Sequence, residues 1–472
     1  MNSPIRLAVL AAAAALLAGC ASVGIDQAVQ ETNASLPAFT GGKLELSRGD
    51  RQGQARQVLA AELLSRPVSM DGAVRLALAN SPAVQALIAQ SWADMAAASQ
   101  AGRLANPVFT FERMRLGGEL EIGRLLSIGL LDLLALPQRQ AIARNQLAQA
   151  KLQLAVNVVD QVSQVRQAWV RAVGAQQVLG YAEQVNRAAQ ASAELARRME
   201  QAGNFSKLQR ARQHAFYADA AAQLASASHA ATSAREELVR QLGLTDSQAR
   251  SLQLPERLPD LPKEARSAAE VSATGVGQRL DVQLAQLDVA VAGKAQGLNL
   301  LATVADVEAG VRHDTVFDNA TGQRSNRRGF ELDIRLPVFD WGGAQRASMN
   351  ARTLLAANRY DSVLRGASSQ LRESYSAYRT AFDLARHYRD EIVPLRQAIS
   401  EQNGLRYNAM LIGVFELLAD TRDQIATVMA AINAEQQFWL ADAALASTLV
   451  GKPIAAGATP VSASTSSNQA AH

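Results

Sequence analysis

Five histidines and one cysteine are the imidazole and thiol groups of this 472-residue chain. His214, His229, His313, His387 and His472 are scattered, and none forms the His-Glu-x-x-His pattern that sets two imidazoles on one helical face. His387 and Glu391 lie one helical turn apart, but two ligands fall short of a full set, and such a pair reads as a solvated face. Cys20 stands alone, so neither an intrachain disulfide nor a multi-thiolate centre can form. No glycine-rich phosphate loop occurs. Catalysis, a cofactor and a resident metal are therefore not expected, and energy for any transport must come from a partner.

The charged residues placed with regularity are Glu308 and Arg312, then Glu331, Asp333 and Arg335. They alternate with Val307 and Val311, and with Phe330, Leu332 and Ile334, around a polar stretch from His313 to Arg328 that reads as a loop. Period-two alternation on both sides of a turn predicts a β-hairpin with one polar and one apolar face. A lone hairpin is marginal in water, so its sheet must be completed elsewhere, most economically by other copies of the chain. In a membrane barrel the charged set lines an aqueous lumen and the apolar set faces lipid. A soluble sandwich with the apolar face inward is the alternative.

The same grammar stands about 200 residues earlier. Val108-Phe109-Thr110-Phe111 begins a strand, Gly117-Gly118 suits a tight turn, and Leu136-Pro137-Gln138-Arg139 opens a long helix, as Leu336-Pro337 does after the second hairpin. Both prolines suit the first turn of a helix. Leu125 to Leu136 is nearly all apolar and long enough for a tilted membrane strand; a buried strand or helix is the alternative. The chain is a duplicated unit.

Long helices should hold these hairpins. Aromatic residues are 5% of the chain and alanine is abundant, which favours close-packed helices. From Gln138 to about Ala202, Leu147, Lys151, Leu154, Val158, Val162, Val165, Trp169 and Ala172 form a coiled-coil-like seam, roughly 100 Å long at the helical rise. Gly203 suits a left-handed cap, and Ser206 with Gln209 makes a capping box. The next helix stops at Gly243, and Pro255, Pro259 and Pro262 mark a linker. Ser69-Met70-Asp71-Gly72 starts an earlier helix, which Asn80-Ser81-Pro82 should break. In the second half Gln278-Arg279-Leu280-Asp281 starts a helix. After the hairpin, a helix from Gly343 to Asn403 has Leu364, Leu371, Tyr375, Tyr378, Phe382, Ala385 and Ile392 on its seam, and Pro394 predicts a kink. A return helix runs from near Gly413 to Val450.

The N-terminus reads as a targeting segment, with Arg6, an apolar core from Leu7 to Leu17, and Leu17-Ala18-Gly19-Cys20. It resembles a bacterial lipobox, which implies lipidation of Cys20; an ordinary signal peptide is the alternative. Ala21 beside Cys20 is similar to the pattern of lipoproteins sent to the outer membrane. The formal charge of +4 is small for this length and no basic cluster with interleaved aromatics occurs, so nucleic acid is not an expected partner.

Two hairpins, each leading through a Leu-Pro element into a very long helix, together with Pro337-Val338-Phe339-Asp340-Trp341-Gly342, resemble the TolC outer-membrane efflux family over roughly residues 68–451. The resemblance implies a mainly α fold with a small membrane β-barrel, two β-hairpins per protomer, and a coiled-coil helical tunnel formed by a homotrimer. The lipobox pattern implies a signal peptide at 1–19, and residues 20–67, without strong periodicity, read as a lipid-anchored extended segment. The first repeat is expected at 68–243 (hairpin 108–136), a linker at 244–272, the second repeat at 273–450 (hairpin 303–336) and a disordered tail at 451–472. The helical tips, Gly203, Asn204, Phe205 and Ser206 and then Leu411, Ile412, Gly413, Val414 and Phe415, are expected to meet a periplasmic adaptor, or to pack on neighbouring tips of the same trimer. Arg406, Tyr407, Glu416 and Asp420 are gate candidates. The implied function is a passive outer-membrane export channel serving an inner-membrane pump for metal ions or drugs. The alternatives are a structural coiled-coil envelope lipoprotein and an exit duct for type I protein secretion.

Overall fold

A computed structural model of the chain describes residues 24–41, 43–273, 275–302, 306–318, 321–335, 339 and 341–453. Cys20 with the leader, Leu336-Pro337-Val338, Asp340, the Phe415 side chain and the tail beyond 453, with His472, lie outside the described residues. The elements are α1 (Ile25–Ser35), α2 (Pro37–Thr40), α3 (Asp50–Leu64), α4 (Met70–Asn80), α5 (Pro82–Ala101), β1 (Val108–Leu116), β2 (Glu119–Gly129), α6 (Leu130–Gln201), α7 (Lys207–Leu242), α8 (Asp246–Ser251), α9 (Ala268–Ala273), α10 (Leu280–Ala302), β3 (Asp306–Asp318), β4 (Arg324–Arg335), α11 (Gly343–His387), α12 (Val393–Asn408) and α13 (Val414–Val450). The fold is mainly helical with one four-stranded antiparallel sheet. Two compact units form: Met1–Thr32, Leu87–Ala155 and Asp281–Leu364 make the first, which holds the sheet; Asn33–Ala86, Val156–Leu280 and Arg365–His472 make the second.

Helix α6 has 72 residues because nothing in it competes with the helical ladder except Pro137. Its expected start is corrected: the strand ends at Gly129, residues 130–136 are already helical, and Pro137 stands inside the helix. An apolar run carries no period that separates strand from helix. Leu154, Val158, Val162, Val165, Trp169 and Ala172 of the seam are buried, and the Trp169 indole donates to the Val68 carbonyl at 2.8 Å. The second unit's largest cluster gathers Tyr378, Phe382, Ala385 and Phe438, with ring centroids 5.6 Å apart for both Tyr378–Phe438 and Phe382–Phe438.

Pro394 does not break its helix. Between α11 and α12 the backbone passes through a π-helical turn, Tyr388–Ile392, and the Val393 N–H donates to the Tyr388 carbonyl. A proline without an N–H is accommodated by one wider turn, and the helix continues to Asn408, beyond the expected Asn403.

Of the segment 20–67, expected to be extended, the described residues 24–41 and 43–67 are largely helical. Ile25, Ala28, Val29 and Thr32 fall at helical spacing and are all buried on α1. Asn33 exchanges two hydrogen bonds with Leu44, at 3.0 and 3.1 Å. The Gln85 side chain accepts from the Ser47 N–H at 2.9 Å and donates to the Glu45 carbonyl at 3.0 Å. Arg166 lies 5.0 Å over the Phe39 ring. Polar composition masked a short apolar stripe. The 244–272 linker likewise contains α8 and most of α9, and it buries Leu252, Leu258 and Leu261.

Burial pushes the Glu435 carboxyl up to about 7, and Asp260 adds to the shift. A folded-state value above the unfolded one means that folding retains a proton between roughly pH 4.5 and 7. The stability this lends is therefore present at low pH and lost as pH rises through 7. Glu435→Gln is expected to be more stable than the parent at pH 8 by about 1 kcal/mol, after allowing for the group's partial exposure, and no more stable at pH 4.5. Urea midpoints at the two pH values measure this, and an equal difference at both would sink it.

Candidate functional site

The sheet runs in the order β1-β2-β3-β4 with unbroken antiparallel register. Because side chains alternate along a strand, the register assigns each residue to a face. Glu308 pairs with Asp333 and Asp306 with Arg335, while Gly310 pairs with Glu331. Glu308, Arg312, Glu331, Asp333 and Arg335 thus share one face, as the alternation predicts. Val307, Val311, Phe330, Leu332 and Ile334 share the other, joined there by Phe109, Phe111 and Leu126. This second face is open: Phe330 is 90% and Val311 70% exposed.

On the polar face Arg312 is a hub. Its guanidinium reaches Asp314 at 2.9 Å, Glu112 at 3.1 Å and Glu331 at 3.4 Å. The contact with Glu112 passes over β2 at Gly123, where a Cβ would lie 3.3 Å from the Asp314 carboxylate and 3.4 Å from the Arg312 guanidinium. Three side chains converge on this glycine, and a side chain there would make them shift by a few tenths of an ångström. Glu112, Gly123 and Asp314 were not singled out from sequence. Asp314 lay in the expected loop from His313 to Arg328, which is a correction, since β3 extends to Asp318 and β4 begins at Arg324. The alternation Asp306, Glu308, Arg312, Asp314 carried the signal.

Among the described residues both outer strands have one edge without a partner. That leaves rows of backbone donors and acceptors available to another chain.

The two helical tips lie in the second unit. At the first, Gly203 takes φ +78° and its N–H donates to the Glu200 carbonyl at 2.9 Å. Ser206 and Gln209 form the expected capping box. Gly203, Asn204 and Ser206 are exposed and Phe205 is half-buried. At the second tip Met410, not a glycine, takes φ +60°. Met410 is 92% and Leu411 70% exposed, and Val414 is half-buried. Ile412 is buried at 8% and turns inward, so it does not belong to an exposed tip surface. Gly413 precedes α13 in extended backbone.

Among the gate candidates Arg406, Tyr407 and Glu416 are exposed, whereas Asp420 is only 7% exposed with one carboxylate oxygen lacking a hydrogen-bond partner. No ion pair joins Arg406 to Glu416 or Asp420 among the described residues. The nearby charge pair is Arg396–Asp423, at 3.4 Å. Arg422 lies 4.7 Å over the Phe216 ring, which ties α13 to α7.

His387 meets Glu391 at 3.2 Å on an exposed face. Among the described residues no three His, Cys, Asp or Glu side chains cluster as a metal site would. Burial raises the Asp442 carboxyl, opposed by Arg266 at 3.0 Å and by Arg166, whose own value burial lowers. These shifts come from helix packing, with no nucleophile beside them. None of the described helices is long and apolar enough to cross a membrane.

Neither a family model nor a curated protein matches the sequence. Solved structures do match. The outer membrane protein VceC from Vibrio cholerae is similar with a TM-score of 0.67 at 15% identity, over 84% of this chain and 98% of that one. The open state of the MtrE outer membrane channel from Neisseria gonorrhoeae gives 0.60 at 19%, over 84% and 89%. CusC, whose structures concern folding and transmembrane channel formation, gives 0.66 at 16%, over 83% and 92%. The fold is that of the outer-membrane efflux channels, as the TolC resemblance implied.

Proposed function

We propose that this chain, built on the fold of the outer-membrane efflux channels, is the passive export duct of a tripartite pump. It carries small toxic solutes, metal ions or drugs, from the periplasm to the exterior. The observation that supports this most is the sheet. Over residues 307–312 and 330–335 its two faces are sorted by polarity, and its two open edges cannot stay unpaired in lipid. The edges of β1 and β4 are satisfied by pairing with further copies, and three copies of four strands bring 3 × 4 = 12, an even-numbered closed barrel. Glu308, Arg312, Glu331, Asp333 and Arg335 then line the lumen. A structural coiled-coil lipoprotein has no use for an open apolar face centred on Phe330.

The helical tips are the proposed contact with a periplasmic adaptor, through Gly203, Asn204, Phe205 and Ser206 on one and Met410, Leu411, Gly413, Val414 and Phe415 on the other. Arg406, Tyr407, Glu416 and Asp420 are the proposed gate. Cys20 is the proposed lipid anchor. An acylated N-terminal peptide beginning at Cys20, found by mass spectrometry of the mature protein, supports the anchor, and an unmodified Cys20 overturns it.

Conductance of the purified protein in planar bilayers tests the duct. A cation-to-anion permeability ratio that rises about three- to ten-fold in Arg312→Ala is the expected result, largest at low salt. Removing the hub leaves Glu112, Asp314 and Glu331 uncompensated on the lumen face. An unchanged ratio would remove Arg312 from the lumen; no conductance at all would overturn the channel. In cells, a deletion strain sensitive only to copper, silver, zinc or cobalt assigns the duct to a metal exporter, and one sensitive to dyes and antibiotics assigns it to a drug pump. A defect confined to protein export points to type I secretion.

A further inference from the structure

Charge on the sheet is segregated more strictly than a lumen and a lipid face require. Every Asp and Glu of the four strands lies on the face of Arg312. The opposite face has no acid at all, yet it bears Arg113, Arg115, Arg124, Arg324 and Arg328 together with His313. These bases are grouped at one end. Arg124, His313 and Arg328 stand side by side, since Arg124 pairs with His313 and His313 with Arg328. Arg113, Arg115 and Arg324 lie in the rows nearer the turns that join β1 to β2 and β3 to β4. On the side toward the helices the next row is Phe109, Leu126, Val311 and Phe330, followed by Ile128, Ala309 and Leu332. The apolar band therefore meets a row of Phe111, Arg124, His313 and Arg328, and Arg113, Arg115 and Arg324 lie beyond it, interleaved with Leu120, Ile122 and Phe317.

Arg113, Arg115, Arg324 and Arg328 are exposed. Arg124 donates to the Thr315 hydroxyl at 3.4 Å, and Arg324 lies 5.5 Å over the Phe317 ring, so both lie along the sheet surface. Like charges gathered without an acid repel one another, and an external anion offsets that repulsion. Guanidinium groups fit phosphate oxygens through paired N–H donors. Their apolar stems can lie along the end of the lipid-facing band while the heads reach the polar layer.

We propose that this girdle binds the phosphate groups of lipid heads in the leaflet at the turn end of the barrel, which fixes the depth at which the barrel sits. The proposal rests on the channel reading, because only a barrel in lipid presents this face to head groups. Its chemistry is separate from transport, since the lumen lies on the other face of every strand.

The test uses the full-length protein reconstituted in phosphatidylethanolamine bilayers, with or without a bis-phosphorylated lipid A, followed by native mass spectrometry of the lipids it retains. The wild type is expected to enrich the phosphorylated lipid at least about tenfold over its share of the bilayer. Replacing all five arginines by glutamine should bring retention to parity, and the double variant R113Q/R115Q, at the rim and away from the apolar band, should lower it part of the way. R327Q, on the opposite face, should retain lipid as the wild type does. Equal retention by the wild type and R113Q/R115Q overturns the proposal. So does displacement of the lipid by millimolar inorganic phosphate, which would mark the site as one for free anions. A wild type that conducts but enriches no phosphorylated lipid removes the girdle and leaves the channel standing. One that neither inserts nor conducts in either bilayer removes both.

Discussion

Leu332→Arg is expected to abolish assembly in the membrane. Leu332 lies in the row of Ile128 and Ala309, inside the apolar band and four residues along β4 from Arg328, roughly 13 Å at the strand rise. An arginine there is too deep for its head to join the girdle without stretching back along the strand. On the lipid face of a barrel such a charge costs about 2–4 kcal/mol near the midplane. The closed trimer of the proposed function would carry it three times, and the total then approaches the stability of an ordinary domain. Any oligomer that the wild type shows on unheated gels should vanish, and the protein should leave the outer-membrane fraction. Glu331→Gln, one residue away on the opposite face, should insert normally. If Leu332→Arg inserts as well as the wild type, the apolar face does not meet lipid, and the scaffold reading gains what the channel loses. A soluble scaffold would tolerate the added charge on an open face.

How much of this was readable in the residues depended on whether a pattern had one apolar side. Phe330, Leu332 and Ile334 against Glu331, Asp333 and Arg335 have one, and the register puts each set on its expected face. The strands continue past His313 and before Gly329 with polar residues on both faces, so alternation of polarity stops while pairing does not. Arg324 and Arg328 of the proposed girdle lie in that stretch, and so does Asp314. Residues 130–136 fail in the opposite way: they are apolar at nearly every position, and only the three-dimensional structure separates helix from strand. Gly203, with Ser206 and Gln209, was legible because capping chemistry is local and repeats at fixed spacing. Ile412 was not, since whether a tip residue points out or in depends on the packing of the two helices it joins.

Gly243→Val is the second large effect expected, and it acts on the fold. Gly243 closes α7 with φ +64°, its N–H donating to the carbonyls of Val239 and Arg240, while the Leu244 N–H returns to Val239 at 3.1 Å. The Asn80 amide donates to the Gly243 carbonyl at 2.9 Å, and Asn80 also approaches Gln248, which belongs to the capping box that starts α8. The break at Asn80-Ser81-Pro82 therefore rests on the end of α7. A Cβ on residue 243 would lie 2.7 Å from the Ser81 Cα and 2.6 Å from the Pro82 Cδ. Left-handed backbone costs a β-branched residue about 1–2 kcal/mol, and forcing atoms into a packed site costs about 1–3 more. The sum is roughly 2–5 kcal/mol, because neither Ser81 nor the proline ring can rotate aside as a flexible side chain would. Gly203 separates the two terms: it has φ +78° but nothing within 4 Å of its would-be Cβ, so Gly203→Val should cost only the backbone share. Urea midpoints of the two variants compare them directly. Equal losses would mean that the contact with Ser81 and Pro82 contributes nothing, and that the junction of α4, α5 and α7 is held by Asn80 alone.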